Sequence, residues 1–268
     1  MPAGPDSARL WSGRDADRLA PLTPNAWLRF DMVARMFPDG VTDVLEVGCG
    51  QGSFGLRAAK HHRYVGLEPD TGSYEVARQR FEQAGLGEVR NTMLADLPAD
   101  ERFDLVCAYE VLEHIEDDAA ALAEWAGRLR PGGWLLLSVP AHQSRFAAAD
   151  VLVGHFRRYD PNAMADLLRR TGLEQIEVRE YGMPLGYALE AGRNAIGRRR
   201  LASAAAADAS MAERTGASGR LLQPQGGLRG TATRLGTAPF RMAQRGFPGA
   251  GTGLVARARL GADGVSAG

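Results

Sequence analysis

The sequence predicts an α/β fold: a doubly wound, mainly parallel seven-stranded sheet with helices on both faces. Three observations carry that expectation. Short apolar or β-branched runs alternate with helical stretches over residues 40–181, and a glycine-rich turn joins the first such run to a helix. Trp134 to Val139 is an almost unbroken apolar run of the kind buried on both faces. Strands that alternate with helices of this length build right-handed βαβ units, and hence parallel pairs.

Residues 1–22 read as a polar lead-in. Thr23 before Pro24 is an N-cap with proline at the first helical position. Trp27, Phe30, Val33 and Met36 or Phe37 then recur at helical spacing until Pro38-Asp39-Gly40 stops the helix. Strands are expected over 43–47, 64–67, 88–91, 103–109, 134–139 and 177–181. Helices are expected over 54–62, 74–83 with Gly85 as its stop, 118–129, and 164–170 behind Asp160-Pro161. After Tyr181 the rhythm breaks. The stretch 182–249 holds ten arginines against Glu190, Asp208 and Glu213, and 202–219 carries eight alanines, as a helix or a linker. A last strand is expected over 253–258, antiparallel beside 177–181, followed by a flexible tail over 259–268. The domain thus comprises 23–181 plus 253–258, and 182–249 is a basic helical or linker insertion, with a lid as one candidate role.

Composition narrows the function classes. Hydrophobic residues at 45% with 24% charged is ordinary globular content and excludes wholesale disorder or collagen-like repeats. Thirty-two basic residues cancel thirty-two acidic ones, so no overall basic field points to nucleic acid. Lys60 is the only lysine, so arginine richness alone does not indicate phosphate binding. Two cysteines, Cys49 and Cys107, make no disulfide scaffold and read as small apolar fillers in a reducing cytoplasm. The first residues lack an apolar signal-type region, and no run of about eighteen apolar residues is long enough to span a bilayer.

The run Glu46-Val47-Gly48-Cys49-Gly50-Gln51-Gly52 follows a strand and opens a helix. Glycine there permits a sharp turn and close approach of a ligand to the main chain, and the helix start offers unpaired N–H groups to an anionic group. Twenty residues past Gly48, Glu68 ends the second strand, where a carboxylate accepts hydrogen bonds from a ribose diol. A nucleoside-bearing ligand is therefore expected. Gly50-Gln51-Gly52-Ser53-Phe54-Gly55 also satisfies G-x-G-x-x-G, so a nicotinamide-dependent oxidoreductase and a non-catalytic nucleoside-binding module stand as alternatives. Glu46 favours a ligand with a cationic ammonium, because a carboxylate there repels a pyrophosphate.

Over about residues 40–180 the sequence resembles the class I S-adenosylmethionine-dependent methyltransferases, in the subgroup that includes quinone-biosynthesis enzymes. The resemblance rests on the glycine run, on Phe103-Asp104-Leu105-Val106 leading to Glu110-Val111-Leu112-Glu113-His114-Ile115, and on Leu129-Arg130-Pro131-Gly132-Gly133-Trp134. It implies methyl transfer from S-adenosylmethionine to a small-molecule or lipid-like acceptor. The glycine loop (Glu46, Gly48, Cys49, Gly50, Gly52) would hold the methionine portion, Glu68 and Pro69 would lie at the ribose, and Tyr109 and Glu110 would flank the methionine end. The family's usual adenine-binding aspartate aligns with Met93, which leaves Asp96 in a shifted loop or backbone groups for that contact.

Acceptor candidates cluster after the fifth strand. His142 or His155 would take a proton if the acceptor arrives protonated, and Arg158 and Tyr159 would orient it. The competing reading is that His155, Arg158 and Tyr159 staple the loop to the sheet. His114 reads as a loop-fixing residue. His61-His62 is an isolated pair and no Cys/His cluster has zinc spacing, so no metal is expected. Residues 187–201 form a weakly amphipathic stretch that would lie on an anionic membrane surface, close over the acceptor, or simply be solvated.

Overall fold

The computed structural model describes residues 20–202 and 228–262. The expected lead-in over 1–19, the alanine-rich stretch over 203–219 and the end of the tail over 263–268 lie outside the described residues.

Seven strands form one sheet: β1 (Asp43–Val47), β2 (Arg63–Leu67), β3 (Glu88–Arg90), β4 (Phe103–Tyr109), β5 (Leu129–Pro140), β6 (Leu173–Gly182) and β7 (Gly251–Leu260). Their order is β3-β2-β1-β4-β5-β7-β6. The pairs among β1 to β5 are parallel. β7 lies antiparallel beside β6 and also separates it from β5. β7 is longer than expected: Arg259 and Leu260, assigned above to the tail, are sheet residues. Arg259 holds this end by donating to the Gly132 carbonyl at 2.9 Å while its guanidinium lies over the Trp134 ring.

Two apolar clusters sandwich the sheet because side chains alternate along each strand. Val106, Ala108, Leu135 and Leu137 pack toward α4 (Asp118–Ala126) and α6 (Pro161–Arg170). Leu105, Cys107, Tyr109 and Leu136 pack toward α1 (Pro24–Met36), α2 (Gly55–Ala58) and Phe81 of α3 (Thr71–Ala84). Ala20 and Leu22 are buried in the second cluster, so the last residues of the lead-in belong to the packed body. Thr23 caps α1 by accepting the Ala26 N–H at 3.2 Å. Asp70 caps α3, and Gly85 ends it in the left-handed region. The Asp160 side chain makes no cap bond at α6, where Pro161 alone sets the start.

Three helices complete the body: α5 (Ala148–Val153), α7 (Leu185–Leu201) and α8 (Leu228–Ala243). The last two fall within the stretch expected as an insertion. α7 packs closely on α5, where a Cβ at Gly197 would lie 2.9 Å from the Ala149 nitrogen. The α8 end is tied to α1 by Gln244, whose amide donates to the Leu28 carbonyl and to Asp31. Because β6 runs with the parallel strands, Val47, Leu67, Tyr109, Pro140 and Gly182 all end at one edge, the side on which ligands bind in doubly wound sheets. Among the described residues, no helix is long and apolar enough to cross a membrane.

Candidate functional site

The glycine loop leaves β1 at that edge. Gly48, Gly50 and Gly52 all have positive φ, at 68°, 55° and 76°. Their surroundings separate their roles. A Cβ at Gly48 would lie 2.7 Å from a Val111 methyl and one at Gly52 would lie 2.6 Å from the Phe81 ring, whereas one at Gly50 would meet nothing within 4 Å. Packing thus requires the outer two glycines, and Gly50 faces open space. Glu68, at the end of β2, reaches across to this point. Its Oε2 accepts the Gly50 N–H at 2.7 Å and its Oε1 accepts the Asp70 N–H at 2.9 Å. Burial pushes its carboxyl pKa up, against the two backbone donors that pull it down.

Glu46 lies beneath the loop rather than at its mouth. It is 3% exposed, and the Tyr64 hydroxyl donates to its Oε2 at 2.5 Å. Burial pushes its carboxyl up to about 8, against the Tyr64 hydrogen bond and the Arg29 charge. The Cys49 side chain is also buried, with its thiol pushed up by burial, so only its backbone faces the loop. Pro69 is exposed beside Glu68, and its carbonyl accepts from Asn91 at 3.1 Å. Met93 is 58% exposed beyond β3. Asp96 folds back to accept the Met93 N–H at 3.3 Å and the Thr92 hydroxyl at 3.2 Å, so the Asp96 carboxylate is engaged within its own turn.

Tyr109 and Glu110 end β4. The Tyr109 ring packs against Phe30 and Phe54, and its hydroxyl is buried without a hydrogen-bond partner. Glu110 turns through φ 58°, which sends its carboxylate back over the strand ends. There it accepts from Ser138 at 3.0 Å and Tyr181 at 3.4 Å, and lies 3.4 Å from the Arg29 guanidinium. Burial pushes its pKa up, but Arg29 and neighbouring cations outweigh this and hold it below the ordinary value. Arg29 was not singled out by the sequence, because its position in α1 is informative only once α1 packs across the strand ends. Its Nε is buried without a hydrogen-bond partner.

The residues offered for the acceptor fall into two groups. Arg158 is 6% exposed and its guanidinium is occupied, bidentate to Asp150 at 2.8–2.9 Å and 2.7 Å from Glu190 of α7. The Tyr159 hydroxyl donates to Asp118 at 2.9 Å, and burial pushes its pKa up. In this structure both side chains brace the loop to α4, α5 and α7, with their donors engaged by Asp150, Glu190 and Asp118. His142 begins the loop beyond β5 with φ 62° and a partly exposed ring, whose Nε2 is 3.0 Å from Glu180. The His155 Nδ1 is 2.8 Å from Asp150, and its Nε2 faces Glu113 at 3.8 Å. The His114 Nδ1 is 3.2 Å from the Gly154 carbonyl, and burial lowers its pKa to about 4.

Residues 45–137 match the methyltransferase domain family. A relative from Mycolicibacterium smegmatis, described as "Probable S-adenosylmethionine-dependent methyltransferase", is 34% identical over 136 residues, 49% of this chain and 52% of its own. A ubiquinone biosynthesis O-methyltransferase of Cereibacter sphaeroides is 33% identical over 150 residues, 50% of this chain and 61% of the relative. The chain thus spans between about half and three fifths of these relatives' lengths. A solved S-adenosylmethionine-dependent methyltransferase of Thermotoga maritima superposes with a TM-score of 0.51 over 85% of this chain and 86% of that one. At 18% identity, this likeness establishes the fold. A segment of the chain thus resembles a methyltransferase domain, and its described body shares the fold of the Thermotoga maritima structure.

Proposed function

We propose that this chain transfers the methyl group of S-adenosylmethionine to a small-molecule or lipid-like acceptor by in-line displacement. The observation that carries the reading is the open space over Gly50, bordered by the buried Glu68 carboxylate, at the carboxyl edge of the sheet and inside the matched segment. Three further features suit the same ligand. The Tyr109 hydroxyl and the Arg29 Nε are buried polar atoms without hydrogen-bond partners at the strand ends, and Glu110 adds a partly exposed carboxylate beside them. Glu68 keeps lone pairs for ribose hydroxyls, since each carboxylate oxygen has two and each accepts one backbone donor here. Arg29 is the complement of a methionine carboxylate, and Glu110 that of an ammonium. Glu46 acts from beneath, through Tyr64 and the loop.

The sulfonium supplies an already activated methyl group, so the protein's work is alignment and exclusion of water, an effect of roughly 7–11 kcal/mol in ideal cases. The loop braced by Arg158 and Tyr159 provides one wall, to which α7 is fixed through Glu190. His142 serves as the base for a protonated acceptor, its ring held by Glu180.

Calorimetric titration with S-adenosylhomocysteine and with NADH tests the cofactor. One equivalent of S-adenosylhomocysteine and no NADH is expected; the reverse would establish an oxidoreductase. Labelled methyl donor is then offered with a broad acceptor panel. Tight S-adenosylhomocysteine binding with no methylated product on any acceptor would identify a binding module.

A further inference from the structure

We propose that Arg193 of α7 receives a carboxylate of the methyl acceptor, so that the acceptor is an acidic small molecule. The inference rests on the methyl-transfer reading above and narrows its substrate class. The helix turns Arg193 inward. Gly186, Glu190 and Gly197 are the buried residues of α7. Arg193 stands seven positions after the first, three after the second and four before the third, within the same stripe of a helix with 3.6 residues per turn. Both ends of the stripe are fixed. A Cβ at Gly186 would lie 2.6 Å from the Thr252 hydroxyl at the start of β7, and one at Gly197 would lie 2.9 Å from the Ala149 nitrogen of α5. The turn between them is held by Glu190, 2.7 Å from Arg158, and by Asn194, whose Oδ1 accepts the Ala149 N–H at 3.1 Å. Arg193 thus lies at the carboxyl edge of the sheet, between the start of β7 and α5.

Arg193 is half-buried, and among the described residues its guanidinium has neither an ion pair nor a hydrogen-bond partner. The carboxylate one turn before it, Glu190, already serves Arg158 and Arg145, each at 2.7 Å. Toward the sheet, the Arg193 charge favours the ionised forms of Glu110 and Tyr181, the side chains at the exits of β4 and β6. The cation within ion-pair distance of Glu110 is nevertheless Arg29, at 3.4 Å. A partly desolvated guanidinium without an anion is an unfavourable arrangement that a bound oxyanion relieves. Its planar fork suits a carboxylate, which takes two parallel hydrogen bonds. Glu110 nearby disfavours a dianion such as a phosphate ester, which selects the singly charged group. The cofactor carboxylate is assigned to Arg29, which leaves Arg193 for the acceptor. In the sequence Arg193 is one of ten arginines in 182–249, and only the buried stripe of α7 singles it out.

Benzoate, its neutral isostere benzamide and phenyl phosphate are titrated into the full chain by ligand-observed NMR, with and without saturating S-adenosylhomocysteine. The wild type should bind benzoate about tenfold or more tighter than benzamide, the gain from hydrogen bonds to a charged group. Arg193→Gln should bring the two probes to within about twofold of each other. Arg193→Lys, which keeps the charge without the fork, should lose part of the preference, and it decides if the glutamine variant does not fold. Equal wild-type affinity for benzoate and benzamide, or an undiminished preference in a folded variant, would overturn the proposal. Tighter binding of phenyl phosphate than of benzoate would overturn the carboxylate assignment. Displacement of benzoate by S-adenosylhomocysteine would do the same for the acceptor role, because Arg193 would then belong to the cofactor site. If S-adenosylhomocysteine does not bind at all, the cofactor reading fails by itself. An Arg193-dependent benzoate preference in the unliganded chain would still support the carboxylate site.

Discussion

Glu68→Gln separates the two jobs the structure gives this carboxylate. In the folded chain it accepts the Gly50 N–H at 2.7 Å and the Asp70 N–H at 2.9 Å, one on each oxygen. An amide of the same shape has one acceptor oxygen and one NH₂ group, so one of the two backbone N–H groups faces another donor. Losing one hydrogen bond to a charged group costs about 1.5–3 kcal/mol of stability. Binding suffers as well, because the ribose diol loses an anionic acceptor: about 1–3 kcal/mol, or roughly 5–150-fold in affinity. Urea denaturation measures the first quantity and calorimetry with S-adenosylhomocysteine the second. A loosened loop would also weaken binding, so a 2′,3′-dideoxy analogue completes a cycle. The wild type should lose affinity for the analogue, and the variant should lose little more. If the variant discriminates against the analogue as strongly as the wild type does, Glu68 braces the loop and does not grip the sugar.

Four further outcomes follow from the same geometry. Gly50→Val should give a folded protein, carrying about 1–2 kcal/mol of left-handed backbone strain, that no longer binds S-adenosylhomocysteine. Gly52→Ala should instead lower the melting temperature, because its Cβ would lie 2.6 Å from the Phe81 ring; normal binding by the first or normal melting of the second would refute the division of labour. Arg158→Ala should cost about 3–5 kcal/mol of stability, since it strands the buried Asp150 and Glu190 carboxylates, and an unchanged unfolding midpoint would remove its bracing role. Glu46→Gln should alter the pH dependence of stability. Burial, against Tyr64 and Arg29, raises this acid to about 8, so the folded state holds a proton that the unfolded state releases above about 4.5. Stability therefore falls as pH rises from about 4.5 to 8, by on the order of 5 kcal/mol from this group, and the variant should gain on the wild type across that window. Parallel urea curves at pH 5 and pH 9 would contradict it.

Much of the sheet was legible because β1, β4 and β5 are apolar runs bounded by glycine or acidic residues, a pattern that leaves little choice of element. The ends were less so. The helix expected over 54–62 is regular only at Gly55–Ala58. Gly55 sits so close under Tyr64 that a Cβ would lie 2.3 Å from its hydroxyl, a contact no local pattern reveals. β5 begins at Leu129, not Trp134, with Pro131 and Gly132 inside it. Such residues ordinarily signal a loop, and here the register against β4 shifts between the Phe103–Leu129 and Leu105–Trp134 pairs to accommodate them. α8 was hidden because Pro239 lies within it, and its docking on α1 depends on Gln244 contacts more than two hundred residues away in sequence. At the site, the glycines and Glu68 could be read because their roles are local. Arg29 and the burial of Glu113 could not, because both depend on which elements meet at the strand ends.

The division between floor and wall has a chemical consequence. The floor under the loop brings together Glu46, Arg29 and Glu110, which balance one another only imperfectly: burial pushes Glu46 toward neutrality, and the partly exposed Arg29 keeps a buried Nε without a hydrogen-bond partner. The wall is the opposite, with Arg158 meeting both Asp150 and Glu190 and Asp150 held at about 2 once the hydrogen bonds from His155 and Arg158 outweigh burial. Satisfied buried networks rigidify, whereas incompletely satisfied ones are stabilised by whatever supplies the missing partner. On the proposed reading the zwitterionic end of the cofactor would supply it, its carboxylate completing Arg29 and its ammonium completing Glu110. On the same reading the acceptor would meet a wall whose hydrogen bonds are already made, with His142 as the candidate base.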